Sequence, residues 1–162
     1  MRFCFALIFL LFVTSAYSQV SLSQGPKVNG LGLGATRDEV IRKLGKPISE
    51  TKRGADECVG GAEMTLRYPG LKFLLWDDSD NPKKFTVGQL EVTSAKWDVS
   101  GAKVGQASSA VRNLFGTRSA EEKESGLTVW FYFMDENISP GSTNFHFRKG
   151  RIVKIVSLWQ MC

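Results

Sequence analysis

The chain is poor in the residues that build metal and redox sites. Its 162 residues include one histidine and three cysteines, too few for a zinc or haem site with several protein ligands. The cysteines form no Cys-x-x-Cys pair, so a thioredoxin-like redox role has little support. No Gly-x-Ser-x-Gly motif occurs, and His146 stands between two phenylalanines, as an ordinary strand histidine does. The sequence contains no motif that indicates a particular reaction. We therefore expect a protein that is not an enzyme and holds no cofactor or metal.

Two segments that resemble ligand-binding loops are incomplete. The acidic segment at residues 77–80 lacks the glycine and the terminal glutamate of a calcium loop. The glycine-rich segment at residues 30–34 follows no predicted strand and lacks the lysine of a phosphate-binding loop. The formal net charge is +5 and the basic residues are scattered, which permits weak contact with anionic envelope polymers. No nucleic-acid partner is expected.

Only one long apolar run is present, at residues 3–13. It is too short to span a bilayer, which takes about 20 residues. The small residues Ala16 and Ser18 follow it and precede Gln19, as at a signal-peptidase cut between Ser18 and Gln19. We therefore expect residues 1–18 to be removed and the protein to be periplasmic or secreted, with no membrane span after cleavage.

Two cysteines, Cys58 and Cys162, remain after removal of the signal segment, which contains Cys4. In an oxidising compartment, two cysteines without other partners most simply form one disulfide bond. In the loop-entropy model, such a bridge would stabilise the fold by roughly 4–5 kcal/mol. Two free thiols or an intermolecular bridge are the alternatives.

A short helix is predicted at residues 37–44. Thr36 is a good N-cap, and Glu39, three residues later, completes a capping box. Gly45 ends the helix, and Pro47 prevents its continuation.

The segment at residues 34–45, which contains this helix, has a similar counterpart at residues 105–116, 71 positions further along the chain. A second similarity lies at the ends of the two halves, where Gly88 and Gly150 are each followed nine positions later by a tryptophan, Trp97 or Trp159. The order of these similarities indicates a duplicated unit. Chance similarity is the alternative.

Six strand-like segments of alternating apolar and polar residues follow the helices, three in each half. Pro69-Gly70 makes a tight turn between the first two, which are therefore predicted to form a hairpin. The segments are residues 62–68, 71–76 and 87–93 in the first half, and 127–133, 144–148 and 151–159 in the second.

The predicted fold is α+β, with two tandem helix–βββ units that form antiparallel sheet and pack their short helices on one face. The predicted divisions are a signal peptide (1–18), a leader (19–30), a first repeat (31–100) and a second repeat (101–162). Apolar residues make up 43% of the chain, and 11 of its residues are phenylalanines, which suits a well-filled core. One sheet shared by both halves would give such small units enough core to be stable.

Strand alternation predicts which side chains face the core. In the fourth segment, Val129, Phe131 and Phe133 are expected to point inward. Trp130 and Tyr132 would then point to the opposite face. Two short helices can cover only one face of a sheet, so apolar side chains are expected to stay open on the other. The candidate partner-binding residues are Trp76, Trp130, Tyr132, His146 and Trp159.

The segment GLGLGATRDEVIRKLGKP resembles the helix that begins the SmpA/OmlA (BamE-like) envelope domains and the related β-lactamase-inhibitor-protein-like fold. The resemblance implies an antiparallel sheet after each helix, and the inhibitor proteins are pairs of such units that present a concave sheet to a partner. The chain lacks the lipobox cysteine of the assembly lipoproteins, and no residue matches an inhibitory contact. The matching residues are Gly34, Thr36, Val40, Leu44, Gly45 and Pro47, and again, without the proline, Gly105, Ser108, Val111, Phe115 and Gly116.

The expected function is that of an exported, non-enzymatic binding module that contacts an envelope or secreted protein through a face of its sheet. Aromatic anchors on a rigid sheet suit such an interface. The alternatives are an inhibitor of a secreted enzyme, such as a β-lactamase or a peptidase, and a hydrolase with unrecognised carboxylates. Binding of a small ligand between the halves is a further alternative.

Overall fold

The computed structural model of the protein describes residues 25–55, 61–78, 81–135, 137 and 140–159. The predicted signal peptide (1–18) and both cysteines of the predicted disulfide bond, Cys58 and Cys162, lie outside these residues. The helices are α1 (Arg37–Leu44) and α2 (Ser108–Phe115). The strands are β1 (Ser49–Ala55), β2 (Ala62–Tyr68), β3 (Leu71–Asp78), β4 (Asn81–Val92), β5 (Ala120–Glu124), β6 (Leu127–Phe133), β7 (Gly141–Arg148) and β8 (Arg151–Trp159).

The eight strands form one antiparallel sheet in the order β1-β2-β3-β4-β8-β7-β6-β5. The predicted α+β class with two helix–βββ units is therefore wrong, because the molecule is mostly β and each helix precedes four strands. The outer strands β1 and β5 were not predicted, since their polar sequences, SETKRGA and AEEKE, lack an apolar face. Each outer strand forms through pairing with an inner neighbour, β1 with β2 and β5 with β6, and its own side chains contribute little burial.

The two halves of the chain meet at the centre of the sheet, where β4 pairs with β8. Equivalent hydrogen bonds recur in the two halves. The Gly34 amide donates to the Val87 carbonyl at 2.8 Å, and the Gly105 amide donates to the Ile152 carbonyl at 2.7 Å. In each half, this bond joins the segment before the helix to the last strand.

These hydrogen bonds correct one predicted similarity between the halves. They make Val87 equivalent to Ile152, which lies 65 positions further along the chain. The predicted correspondence of Gly88 with Gly150 requires a separation of 62 positions instead. That correspondence is wrong, and so is the equivalence of the two tryptophans that follow.

The predicted bounds of α1 are confirmed. Thr36 Oγ1 accepts a hydrogen bond from the Glu39 amide at 3.3 Å, and Glu39 Oε2 accepts one from the Thr36 amide at 2.8 Å. This reciprocal pair is a capping box, and the bond from the Thr36 backbone holds the pKa of Glu39 below its ordinary value. Gly45 ends the helix with its amide bonded to the Ile41 carbonyl at 2.9 Å.

The core lies between one face of the sheet and a layer formed by the helices and the segments that precede them. Val40 of α1 and Val111 of α2 are fully buried in this core. Every central strand contributes alternate side chains to this covered face. The largest fully buried side chains that the strands contribute are Phe73, Phe145, Leu66, Leu75, Leu90, Ile152 and Ile155.

The predicted facing of β6 is reversed. Trp130 and Tyr132 are 7% and 3% exposed and lie in the core, whereas Phe133 is 59% exposed. The Tyr132 hydroxyl donates to the Gly116 carbonyl at the end of α2, at 3.2 Å, which satisfies one of the acceptors that a helix end leaves open. Both faces of β6 carry aromatic rings, so alternation fixes the period of the strand but not which set lies inside.

Candidate functional site: the open face of the sheet

The sheet presents a second face, on the side away from the helices and the core, which we call the open face. Directly paired residues of antiparallel strands point to the same side of a sheet. One row of such pairs crosses all eight strands on the open face and so joins both halves of the chain in one surface. The row consists of Ser49, Arg67, Lys72, Glu91, Val156, Asn144, Phe131 and Ala120.

Apolar side chains gather on the second half of the open face. Phe131 and Phe133 of β6 have ring centroids 6.5 Å apart, and Val156 and Leu158 lie two strands away on β8. We call these four residues the apolar patch. Phe133 is 59% exposed and Phe131 and Leu158 are partly exposed, whereas Val156 is buried. Apolar side chains grouped on one face, with an exposed aromatic ring among them, are typical of a contact surface.

Polar side chains of β7 lie between the two sides of the apolar patch. The Oδ1 atom of Asn144 is buried and has no hydrogen-bond partner. His146 faces Lys154 across the β7–β8 pair. Burial lowers the pKa of His146 and Lys154 lowers it further, while Glu91 acts in the opposite direction. His146 is therefore neutral at neutral pH, when its imidazole can both donate and accept a hydrogen bond.

The first half of the open face carries an ion pair and a buried indole. Lys72 Nζ lies 3.2 Å from Glu91 Oε2. Trp76 packs against the backbone of Gly88, where any side chain would overlap the indole ring. Trp76 is 9% exposed, and its Nε1 is buried without a hydrogen-bond partner.

The structure does not bring the five predicted partner-binding residues together. Trp130 and Tyr132 are buried on the covered face. Trp159 is half-buried and lies beside the segment that precedes α1. Trp76 and His146 are on the open face, where Trp76 is buried and His146 is half-buried.

The polar and aromatic groups of Trp130 are satisfied within the chain. Its Nε1 donates to Glu121 Oε2 at 2.9 Å. The guanidinium groups of Arg118 and Arg112 lie 4.8 Å and 5.6 Å from the ring centroid, and Arg118 also forms an ion pair with Glu121 at 2.7 Å. Trp130 thus stabilises the packing of α2 on the sheet and is not available as a surface anchor.

Sequence reasoning missed Phe131 and Phe133 as surface residues. The signal that points to the correct facing is a pair of tyrosines that occupy equivalent places in the two halves. Tyr68 donates to the Gly45 carbonyl at 2.9 Å, as Tyr132 does to the equivalent carbonyl of α2. A tyrosine that closes a helix end must lie on the covered face, which places the alternate residues of β6 on the open face.

The open face carries groups that can bind a partner. Within the described part of the chain, no three His, Cys, Asp or Glu side chains are grouped so that they could hold a metal ion. None of the helices that the structure describes is long and apolar enough to cross a membrane. The open face instead presents apolar area, amide and imidazole hydrogen-bonding groups, and charge.

No family model and no curated protein matches the chain. Comparison with solved structures finds two distant similarities. One is an extracellular protein containing a SCP domain from Bacillus anthracis, with a TM-score of 0.49 and 11% identity, which covers 96% of this chain. The chain spans about half, 54%, of the length of that protein. The other is a DUF4309 family protein (YjgB) from Bacillus subtilis, with a TM-score of 0.44 and 11% identity, over 78% of this chain and 79% of that one.

Neither of these two proteins is described as a SmpA/OmlA or inhibitor protein. The resemblance of the α1 segment to those families therefore stays a prediction from the sequence.

Proposed function

We propose that the protein is an exported, non-enzymatic binding module that contacts a protein partner through the open face of its sheet. The observation that carries the proposal is the apolar patch, formed by Phe131, Phe133, Val156 and Leu158 on the side of the sheet away from the core. Burial of apolar area supplies most of the driving force when proteins associate. Phe133, at 59% the most exposed of the four, is aromatic, and aromatic residues are enriched at protein interfaces.

The surroundings of the apolar patch support the same proposal. Asn144 lies between the two sides of the patch, and His146 follows it along β7. The ion pair of Lys72 with Glu91 lies next to Val156. Protein interfaces combine apolar contacts with hydrogen bonds and charged groups. The sheet fixes the backbone positions of these side chains before the partner binds. Binding would therefore cost little conformational entropy.

Export belongs to the proposal, and residues 1–18 support it through their signal-like pattern. An exported protein meets envelope or secreted proteins, and one of these is the proposed partner. The predicted disulfide bond between Cys58 and Cys162 would suit the same oxidising compartment. The resemblance to inhibitor proteins supports the use of a sheet face as the contact surface.

The proposal is tested by capture of the partner with two variants of equal charge change. Phe133→Asp places a carboxylate in the apolar patch, whereas Asn113→Asp places one on the exposed side of α2. The mature protein and both variants are immobilised, incubated with an envelope extract of the source organism, and the retained proteins are identified by mass spectrometry. We expect a protein that the wild type and Asn113→Asp retain and Phe133→Asp loses at least tenfold.

If every protein retained by the wild type is also retained by Phe133→Asp, the open face is not the contact surface.

A second assay tests the inhibitor alternative. If the captured partner is a hydrolase, such as a β-lactamase or a peptidase, its activity is measured with the wild type and with Phe133→Asp. Loss of its activity with the wild type alone would make the protein an inhibitor. Unchanged activity would make it a binding module without inhibitory function.

A further inference from the structure

A shallow depression of about 310 Å³ lies at the end of the open face, beside the turn between β2 and β3. We propose that this depression binds a carboxylate that stands next to an apolar group, as an acidic loop of the protein partner would present it. This inference rests on the proposed function, since it names what the partner brings to one end of the open face. The residues that carry it are Ile48, Arg67, Pro69, Lys72 and Glu91.

The depression has a net charge of +1, because Arg67 and Lys72 are opposed by Glu91 alone among its lining residues. Arg67 and Lys72 are paired directly across β2 and β3. Lys72 lies 3.2 Å from Glu91, whereas no carboxylate among the described residues forms a salt bridge with Arg67. One incoming carboxylate would therefore balance the charge of the depression.

The donors of the depression can hold that carboxylate without breaking the existing ion pair. The Lys72 ammonium has three N–H donors and the Arg67 guanidinium has five. Lys72 can therefore keep its bond to Glu91 and still donate to a second carboxylate. Bonds from two cationic donors to one carboxylate are stronger than those between neutral groups.

An apolar wall stands beside these charges. Ile48 is 71% exposed, and its amide donates to the Arg67 carbonyl at 2.8 Å, which fixes its place relative to the cations. Pro69 and the buried Leu71 also line the depression. An inorganic anion would leave this wall in water, so the lining suits a carboxylate on an apolar body. Without Arg2 of the predicted signal peptide, the net charge of the chain is +4 (20 Lys and Arg against 16 Asp and Glu), and it attracts an acidic partner over longer distances.

The site is tested in the intact protein with two probes of nearly equal shape, 3-phenylpropionate and its neutral amide, 3-phenylpropionamide. Backbone amide shifts in the NMR spectrum locate each probe and give its dissociation constant. We expect the carboxylate to shift the amides of Ile48, Thr93 and the β2–β3 turn, and the neutral amide to bind about fivefold more weakly or not at all.

Three variants decide which charges act. Arg67→Gln is expected to weaken binding of 3-phenylpropionate about three- to fivefold, and Glu91→Gln to strengthen it by a similar factor, because each changes the charge balance of the depression in the opposite sense. Arg42→Gln, at an exposed position of α1, should leave binding unchanged. The dispersion of each spectrum shows that the variant is folded.

Equal binding of the two probes, unchanged binding by Arg67→Gln, or shifts only elsewhere on the protein would overturn the inference. Such a result would leave the proposed function standing, because the Phe133→Asp capture test involves the apolar patch and not the depression. If the wild type and Phe133→Asp captured the same proteins while 3-phenylpropionate still bound the depression, the proposed function would be rejected and the carboxylate site would stand.

Discussion

At the scale of single residues, the contact between Trp76 and Gly88 shapes the first half of the open face. Gly88 is the extra residue of β4 at the point where its register with β3 shifts between Leu74 and Leu75. Glycine is favoured at such a bulge when another group approaches the backbone closely. Here that group is the indole ring of Trp76, which occupies the space of a missing side chain.

Gly88→Ala is therefore expected to displace Trp76 and to lower the free energy of unfolding by about 1–3 kcal/mol, as overpacked sites do. Urea unfolding followed by tryptophan fluorescence measures the loss. Gly54→Ala is the matched control, because no atom lies within 4 Å of the position its Cβ would take. The control should change stability by no more than about 0.5 kcal/mol. Equal stability of the two variants would show that Trp76 does not need the glycine.

At the scale of secondary structure, the two helices have the same entry geometry but different caps. The N-cap residue of α1 is Thr36, with φ −76° and ψ 155°, and that of α2 is Ala107, with φ −71° and ψ 153°. Thr36 accepts the hydrogen bond of a capping box, whereas Ala107 has no side chain that could. The backbone of α2 is thus already arranged for a cap that its sequence does not supply.

Ala107→Thr is expected to raise the free energy of unfolding by about 0.5–1 kcal/mol, and Thr36→Ala to lower it by about 1 kcal/mol. Chemical denaturation of both variants beside the wild type measures these changes. The pKa of Glu39 is lowered in the folded state, so its stabilisation is present above its ordinary value of 4.5 and is lost as the pH falls below it. The deficit of Thr36→Ala should therefore shrink in acid, and a gain from Ala107→Thr should not. A destabilised Ala107→Thr would mean that α2 cannot use a side-chain cap.

The elements that were predictable are those whose signals are local. Thr36, Glu39 and Gly45 fix α1 through bonds within three or four residues, and Pro69-Gly70 fixes the β2–β3 hairpin. The outer strands β1 and β5 were not predictable in this way, because their hydrogen bonds come from a neighbouring strand. The facing of β6 also depends on a distant group, the carbonyl at the end of α2. The position of the apolar patch follows from that facing, so it could not be predicted from the sequence of β6 alone.

At the scale of the whole molecule, the two halves share one core. β4 and β8 pair over four residues on each side, from Gln89 to Val92 and from Ile155 to Leu158. The segments before the two helices are also joined, because Val28 and Val99 form a bridge. The core cluster is continuous and contains buried apolar residues of both halves. The open face accordingly depends on both halves, since the central row of paired residues crosses from one to the other.

A shared core predicts that the two halves unfold together. Leu90 lies at the centre of the sheet, is fully buried, and pairs with Ser157 of the other half. Leu90→Ala is expected to lower the free energy of unfolding by about 2–5 kcal/mol. NMR signals of amides in β3 and in β7, followed through a urea titration, should lose intensity at one common midpoint that shifts equally for both strands.

The same titration on Phe133→Ala provides the control, because Phe133 lies outside the core and its truncation should move the common midpoint little. If Leu90→Ala shifted the midpoint of β3 and left that of β7 in place, the halves would be separate folding units joined at an edge. In that case the open face could open at the β4–β8 seam, and its two ends would bind independently. A common midpoint would instead mean that the apolar patch and the depression belong to one cooperative folding unit, so that a single partner can contact both.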